Sequence, residues 1–72
     1  MRKEDKIKKF RELAIRRTNN VLKQVRILGN LSNRNAYEYT EEEISKIFSE
    51  VDKRIKETRA KFHFSSDKKF NL

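Results

Sequence analysis

The 72-residue sequence lacks cysteine, proline and tryptophan, and it contains one glycine and one histidine. Without cysteine the chain can form neither a disulfide framework nor a thiolate metal site. His63 alone cannot build a metal centre, because the sequence gathers no carboxylates around it. We therefore expect no metal and no other cofactor. Without proline, Gly29 is the one strong signal for the end of a helix.

Long hydrophobic runs are also missing. No apolar stretch approaches the roughly 20 residues that a membrane-spanning helix needs, and none follows the basic N-terminus as in a secretory signal. We therefore expect a cytoplasmic protein with no membrane partner. The sequence shows no nucleophile–base set, glycine-rich phosphate loop or metal-spaced cluster, which argues against an enzyme and against a small-molecule substrate.

Apolar residues repeat at helical spacing in the N-terminal part of the chain. They lie at steps of three, four and seven: Ile7, Phe10, Ala14, Val21, Val25 and Leu28. This stripe predicts an amphipathic helix over about residues 4–28. Gly29 follows the stripe at the position where a left-handed glycine commonly ends a helix.

A second helix has a clear start signal. Thr40 and Glu43 have the spacing of a capping box, and Tyr39 and Ile44 are placed as a hydrophobic staple. The apolar stripe that follows consists of Ile44, Ile47, Phe48, Val51, Ile55 and Phe62. Four acid–base pairs have the favourable i,i+4 order: Glu42–Lys46, Glu50–Arg54, Asp52–Lys56 and Glu57–Lys61. These features predict a helix over residues 41–62.

Together the two stripes predict an all-α fold, an antiparallel helical hairpin in which each helix offers its stripe to the other. An asparagine-rich connection joins the helices, residues 1–62 form a single domain, and residues 63–72 form a short irregular tail. The tail is either a frayed terminus or a segment that orders on a partner. Two helices bury only part of two stripes. A homodimer, or docking on a larger protein or ribonucleoprotein complex, would cover the rest.

The positive charge is concentrated in the first helix. Ten of the 19 lysines and arginines, and only three acids, lie in residues 1–28, which carry +7 of the net +8. Lys9, Arg16 and Lys23 form one track nearly opposite the apolar stripe, with Arg17 and Arg26 to its sides. This pattern predicts contact with the phosphates of a nucleic acid. The alternatives are a solvated face that keeps the protein soluble, and an anionic membrane surface.

Polar residues 16–20 interrupt the middle of the first helix, although asparagine and threonine are mediocre helix formers. They contact a partner, or else Thr18 or Asn20 forms a buried polar pair that sets the register of a bundle. The sequence favours neither explanation.

The connection adds candidates for specific contact. Arg34 can bind phosphate, Asn35 can read a base edge and Tyr37 can stack on an unpaired base. The alternative is that these residues, with Asn33, only build a local turn, and Leu31 is expected to pack in the core. RNA is favoured over DNA, because no tight turn to a second short helix supports a helix-turn-helix. The predicted nucleic-acid-binding residues are Lys9, Arg16, Arg17, Lys23, Arg26, Arg34, Asn35 and Tyr37.

Residues 26–34 (RILGNLSNR), 37–40 (YEYT), 47–48 (IF) and 61–62 (KF) form a pattern that resembles one in small uncharacterised bacterial and mobile-element proteins. The resemblance covers roughly residues 18–62. It implies a helical module and supplies no activity, cofactor or binding residue. The sequence thus leaves two hypotheses: a nucleic-acid-binding accessory protein, or a protein-binding regulator or subunit that docks on a larger complex. The second would also use the apolar residues Leu13, Ile27, Phe64 and Phe70.

Overall fold

The computed structural model describes residues 2–62, and every regular element in this range is helical. Helix α1 spans Lys3–Gly29, a short 3₁₀ helix spans Asn30–Ser32, and helix α2 spans Glu41–Arg59. The predicted all-α class is therefore confirmed. The chain divides into two compact units, Met1–Glu38 and Tyr39–Leu72, and each is described by itself. The hairpin and the single domain over residues 1–62 stay predictions.

Helix α1 is continuous over 27 residues, a length of roughly 40 Å at 1.5 Å per residue. Arg2 precedes it in an extended conformation and forms no side-chain cap. The first turn instead carries Glu4 and Asp5, whose charges suit the positive end of the helix dipole. The predicted span of 4–28 is confirmed to within one residue at each end.

The predicted role of Gly29 is wrong. Gly29 has right-handed backbone angles, φ −62° and ψ −24°, and the helical path continues into the 3₁₀ helix. The amide of Asn30 donates to the carbonyl oxygens of Arg26 and Ile27. The chain leaves the helical conformation only at Asn33, where φ is −69° and ψ is 102°. The apolar repeat of α1 also continues past Gly29, because Leu31 lies three residues beyond Leu28.

The start of α2 is as predicted. The Thr40 hydroxyl accepts a hydrogen bond from the Glu43 amide, and the Glu43 carboxylate accepts one from the Thr40 amide, so the capping box is complete. Tyr39 and Ile44, the predicted staple pair, are both partly buried. Arg54 pairs with Glu50 as predicted, with 2.7 Å between Nε and Oε2. Its guanidinium also lies 3.6 Å from a carboxylate oxygen of Glu57.

The other three predicted i,i+4 ion pairs do not form within 4.0 Å among residues 2–62. Those pairs are Glu42–Lys46, Asp52–Lys56 and Glu57–Lys61. Exposed pairs of this kind contribute little stability and compete with hydration, so the spacing alone did not decide which of them form.

The predicted end of α2 at residue 62 is wrong, because the helix ends at Arg59. The amide of Ala60 still donates to the carbonyl of Lys56 over 3.1 Å. The next two amides donate only three residues back, Lys61 to Thr58 over 3.1 Å and Phe62 to Arg59 over 3.0 Å. Such bonds tighten the last turn into 3₁₀ geometry and satisfy the terminal carbonyls. Phe62 therefore lies outside α2.

None of the described residues is buried. Six are partly buried: Leu13, Ala14, Leu28, Tyr39, Ile44 and Val51. Leu31 is 46% exposed, so the first unit alone does not bury it, and its place in the core of a hairpin stays a prediction. Neither unit has a core of its own within this range. The predicted irregular tail, with Phe64 and Phe70, lies outside the described residues.

Candidate nucleic-acid interface

All eight predicted binding residues belong to the first unit and are exposed. Five of them lie on α1: Lys9, Arg16, Arg17, Lys23 and Arg26. The other three, Arg34, Asn35 and Tyr37, follow the 3₁₀ helix that extends α1. The structure therefore places the predicted residues along one helix and the segment just beyond its C-terminal end.

The basic track of α1, defined as Lys9, Arg16 and Lys23, is set by helix geometry. Its members are seven residues apart in an unbroken helix, and seven residues make a rotation of about 700°, close to two full turns. The three side chains therefore leave the helix along nearly one line, roughly 10 Å apart at 1.5 Å per residue. A rigid helix thus fixes the spacing of the charges.

Among the residues that the structure describes, the cations of α1 have no carboxylate partner. Within residues 2–62, no carboxylate oxygen lies within 4.0 Å, the limit for an ion pair, of a side-chain nitrogen of any lysine or arginine in this helix. In contrast, Arg54 of α2 is engaged by both Glu50 and Glu57. The two helices therefore differ in their charge pairing. The described cations of α1 are exposed without an ion pair, whereas α2 pairs Arg54 with its own carboxylates.

One acid interrupts the basic face of α1. Glu12 lies four residues after Lys8 and four before Arg16, so helix geometry puts it on the same side as the track. Although that spacing suits an ion pair, none forms within 4.0 Å. Glu12 therefore lowers the local positive potential without tying up a particular cation.

Amide side chains accompany the track on both sides. Asn19 and Asn20 are exposed within the continuous helix, and the 100° step per residue places them on opposite sides of the line through Arg16 and Lys23. Amides can bond phosphate oxygens and base edges. The sequence left the purpose of residues 16–20 open, although this angular placement could have been read from the helical period.

The turn after the 3₁₀ helix is organised by Asn33. Its side-chain oxygen accepts a hydrogen bond from the Asn35 amide over 3.0 Å. Its carbonyl oxygen accepts from the amides of Ala36, at 3.1 Å, and Tyr37, at 3.0 Å. Asn33 thus builds local structure, which supports the structural alternative for this residue. Asn35 contributes its backbone amide to the turn, and Tyr37 is 50% exposed.

Other kinds of site find little support in the part of the chain that the structure describes. No cluster of three or more acidic or histidine side chains is arranged to hold a metal ion there. An open depression on the polar side of α2 is lined only by Glu42, Ser45, Lys46, Ser49, Glu50 and Lys53. Neither of the two long helices has the length and apolar character to cross a membrane.

Within residues 2–62, fold and surface together define an all-helical chain whose first helix carries a basic face without carboxylate partners. Comparisons with protein-family models, curated proteins and solved structures give no match for this chain. The resemblance to small bacterial and mobile-element proteins therefore stays a prediction.

Proposed function

We propose that this protein is a small, non-enzymatic nucleic-acid-binding accessory protein that contacts RNA or a ribonucleoprotein through α1. The observation that supports it is the alignment of exposed cations on α1, with no carboxylate among residues 2–62 in ion-pairing distance. A protein that neutralises phosphates with such cations releases condensed counterions, and this release drives binding without regard to sequence.

The basic track suits a phosphate backbone. Its spacing of roughly 10 Å corresponds to about three nucleotides of a strand at 3.4 Å each along a duplex axis. Arg16 can donate two parallel hydrogen bonds to one phosphate, whereas Lys9 and Lys23 act as point charges. Arg17 and Arg26 lie to either side of the track and extend the basic surface around the helix.

Preference for RNA is proposed from the turn that Asn33 organises. This turn carries the half-exposed ring of Tyr37 and the exposed side chains of Arg34 and Asn35. An aromatic ring stacks on an unpaired base, worth roughly 1–3 kcal/mol per base, and an amide can read its edge. Unpaired bases are a common feature of RNA loops and bulges, so the turn suits a single-stranded RNA segment.

A charge-reversal experiment tests the proposal. Lys9→Glu, Arg16→Glu and Lys23→Glu together should abolish binding of a fluorescent single-stranded RNA in an anisotropy titration. The matched control reverses three cations of α2, Lys46, Lys53 and Lys56, and changes the net charge by the same amount. We expect the control to keep most of the affinity. Equal losses in both variants would contradict a site on α1, and equal affinity for duplex DNA would contradict the RNA preference.

A protein-binding role is the second candidate. Ile15 and Leu22 are 64% and 60% exposed and lie seven residues apart on α1, where they form a short apolar strip. Ile27 is 44% exposed, whereas Leu13 is partly buried. Reversal of the track charges should only slow association with a protein partner. A partner from the native host that stays bound after nuclease treatment and needs Ile15 and Leu22 would favour this role.

The antiparallel hairpin also belongs to the proposal. One register would pair the two apolar stripes throughout, with Leu28 against Ile44 and Val21 against Val51, and would leave the basic track facing outward. Isotope-edited NMR tests it: we expect intramolecular contacts between the methyl groups of Val21 and Val51. Their absence under conditions where both helices are formed would contradict the hairpin.

A further inference from the structure

We propose that the apolar face of α2 is a homodimer interface, on which α2 of a second copy lies antiparallel. Ile44, Phe48, Val51 and Ile55 are spaced by four, three and four residues, the spacing of a coiled-coil seam. Phe48 is 43% and Ile55 53% exposed, whereas Ile44 and Val51 are partly buried. The inference rests on α2 alone and is independent of nucleic-acid binding.

The charges of α2 identify the occupant and its direction. Residues 41–50 contain four acids and one base, a net charge of −3, and residues 51–61 contain two acids and five bases, a net charge of +3. Antiparallel pairing places the acidic half of each copy against the basic half of the other. Parallel pairing would place like charges together, which disfavours association. The helix is thus complementary to a second copy of itself.

Glu41 and Arg59 make this complementarity specific. They lie 18 residues apart, about five full turns, so both leave the same side of α2, next to the seam. Neither forms an ion pair within the described residues. A register that packs Ile44 on Ile55 of the second copy, and Phe48 on Val51, brings Glu41 beside Arg59 of that copy. Two-fold symmetry then gives the pair twice.

The seam is compatible with the proposed hairpin. Phe48 and Ile55 lie toward one margin of the α2 stripe, whereas Ile47 lies on the other margin. The Ile47 margin would receive α1 of the same chain and the Phe48 margin would receive the second copy. Ile44 and Val51 lie between the two margins and would contact both. The apolar stripe of α2 covers an arc of roughly 100°. That is the width of a helix face packed in a folded domain and is broader than the seam of a two-helix coiled coil, so it can contact two neighbouring helices.

Cysteine cross-linking tests the direction of pairing, since the natural chain has no cysteine. Ser45 and Asp52 lie on one side of the seam, and the register places Ser45 near Asp52 of the second copy. A mixture of the Ser45→Cys and Asp52→Cys proteins should form mixed disulfide dimers on oxidation, and Ser45→Cys alone should form few. Efficient cross-linking of Ser45→Cys alone, or no mixed disulfide in the mixture, would contradict the antiparallel register and overturn the proposal.

Sedimentation equilibrium of the full chain tests the interface itself. The wild type should form dimers in a concentration-dependent manner, and Phe48→Ala should shift it to monomer. Arg59→Glu places a glutamate beside Glu41 of the second copy at each end of the dimer. This repulsion should raise the dissociation constant of the dimer about tenfold. Lys53→Glu makes the same charge change on the far side of α2 and should leave it within about twofold. Far-ultraviolet circular dichroism checks that α2 remains helical in each variant.

A wild type that stays monomeric at every concentration would overturn the dimer. Equal increases of the dissociation constant in Arg59→Glu and Lys53→Glu, with helicity kept in both, would also overturn it. Dimerisation would then depend on net charge and not on the position of the charge beside the seam.

Discussion

The Thr40 hydroxyl accepts a hydrogen bond from the Glu43 amide over 3.1 Å, and the Thr40 amide donates to the Glu43 carboxylate over 2.9 Å. These reciprocal bonds satisfy amide groups that the first turn of a helix leaves without an acceptor. Two residues therefore set the first residue of α2, and with it the positions of the apolar seam and the charged halves along the helix.

Removal of the cap should weaken α2. Thr40→Ala deletes the hydroxyl acceptor and should lower helix stability by about 1 kcal/mol, visible as lower helicity and an earlier urea transition in circular dichroism. Thr58→Ala is the control, because Thr58 lies near the other end of the same helix. Alanine is the better helix former, so this change should not reduce helicity. Equal responses to the two changes would contradict the role of the cap.

Gly29→Ala should stabilise the end of α1. The glycine has a negative φ, and no atom lies within 4 Å of the place a β-carbon would occupy. Alanine loses less backbone entropy on folding, so we expect a gain of about 0.5–1 kcal/mol in helix stability. Thermal unfolding followed by circular dichroism measures it. A loss of stability would instead indicate a left-handed conformation at this position.

Asn33 and Asn35 should respond differently to alanine. Asn33→Ala removes the side-chain acceptor that the Asn35 amide uses and should disorder the turn, which would weaken RNA binding severalfold. Asn33→Asp keeps an acceptor oxygen and should keep the turn. Asn35→Ala leaves the backbone amide in place, so the turn should persist and any loss of affinity reports its side chain. Amide chemical shifts of residues 33–37 follow the turn. Unchanged shifts in Asn33→Ala would contradict its organising role.

Glu12→Gln should strengthen nucleic-acid binding. This change removes a negative charge from the basic face of α1 without removing any cation, so affinity for RNA should rise by about threefold at low salt. Glu42→Gln in α2 is the matched control, and we expect little change from it. Anisotropy titrations at one ionic strength compare the two. The same rise in both variants would mean that only net charge matters.

The sequence predicted the elements well where local bonds decide them. The start of α2 followed from Thr40 and Glu43, because a capping box needs only neighbouring residues. The C-terminal ends of α1 and α2 were harder to predict, because the apolar repeat continues through Gly29 to Leu31 and through Ile55 to Phe62. At the first end the backbone followed the period. At the second, hydrogen bonds three residues back ended the helix before Phe62.

In the candidate site, the positions of residues on the helix could be predicted, whereas the conformation of the turn could not. Lys9, Arg16 and Lys23 share one side of α1 because helix geometry requires it once the helix is known. Which asparagine would organise the turn depends on backbone angles, such as the extended conformation of Asn33, and composition does not fix these. Pairing of α1 cations with Glu12 also could not be judged from spacing, because exposed pairs form weakly and selectively.

The salt dependence of RNA binding tests the central claim most directly. The logarithm of the association constant should fall linearly with the logarithm of salt concentration, because each phosphate contact releases counterions. Lys9→Ala, Arg16→Ala and Lys23→Ala together should reduce the steepness of that line by about two units, at roughly 0.7 per contact on a single strand. A wild type whose affinity does not change with salt, or a triple variant with the wild-type slope, would contradict binding through the basic track of α1.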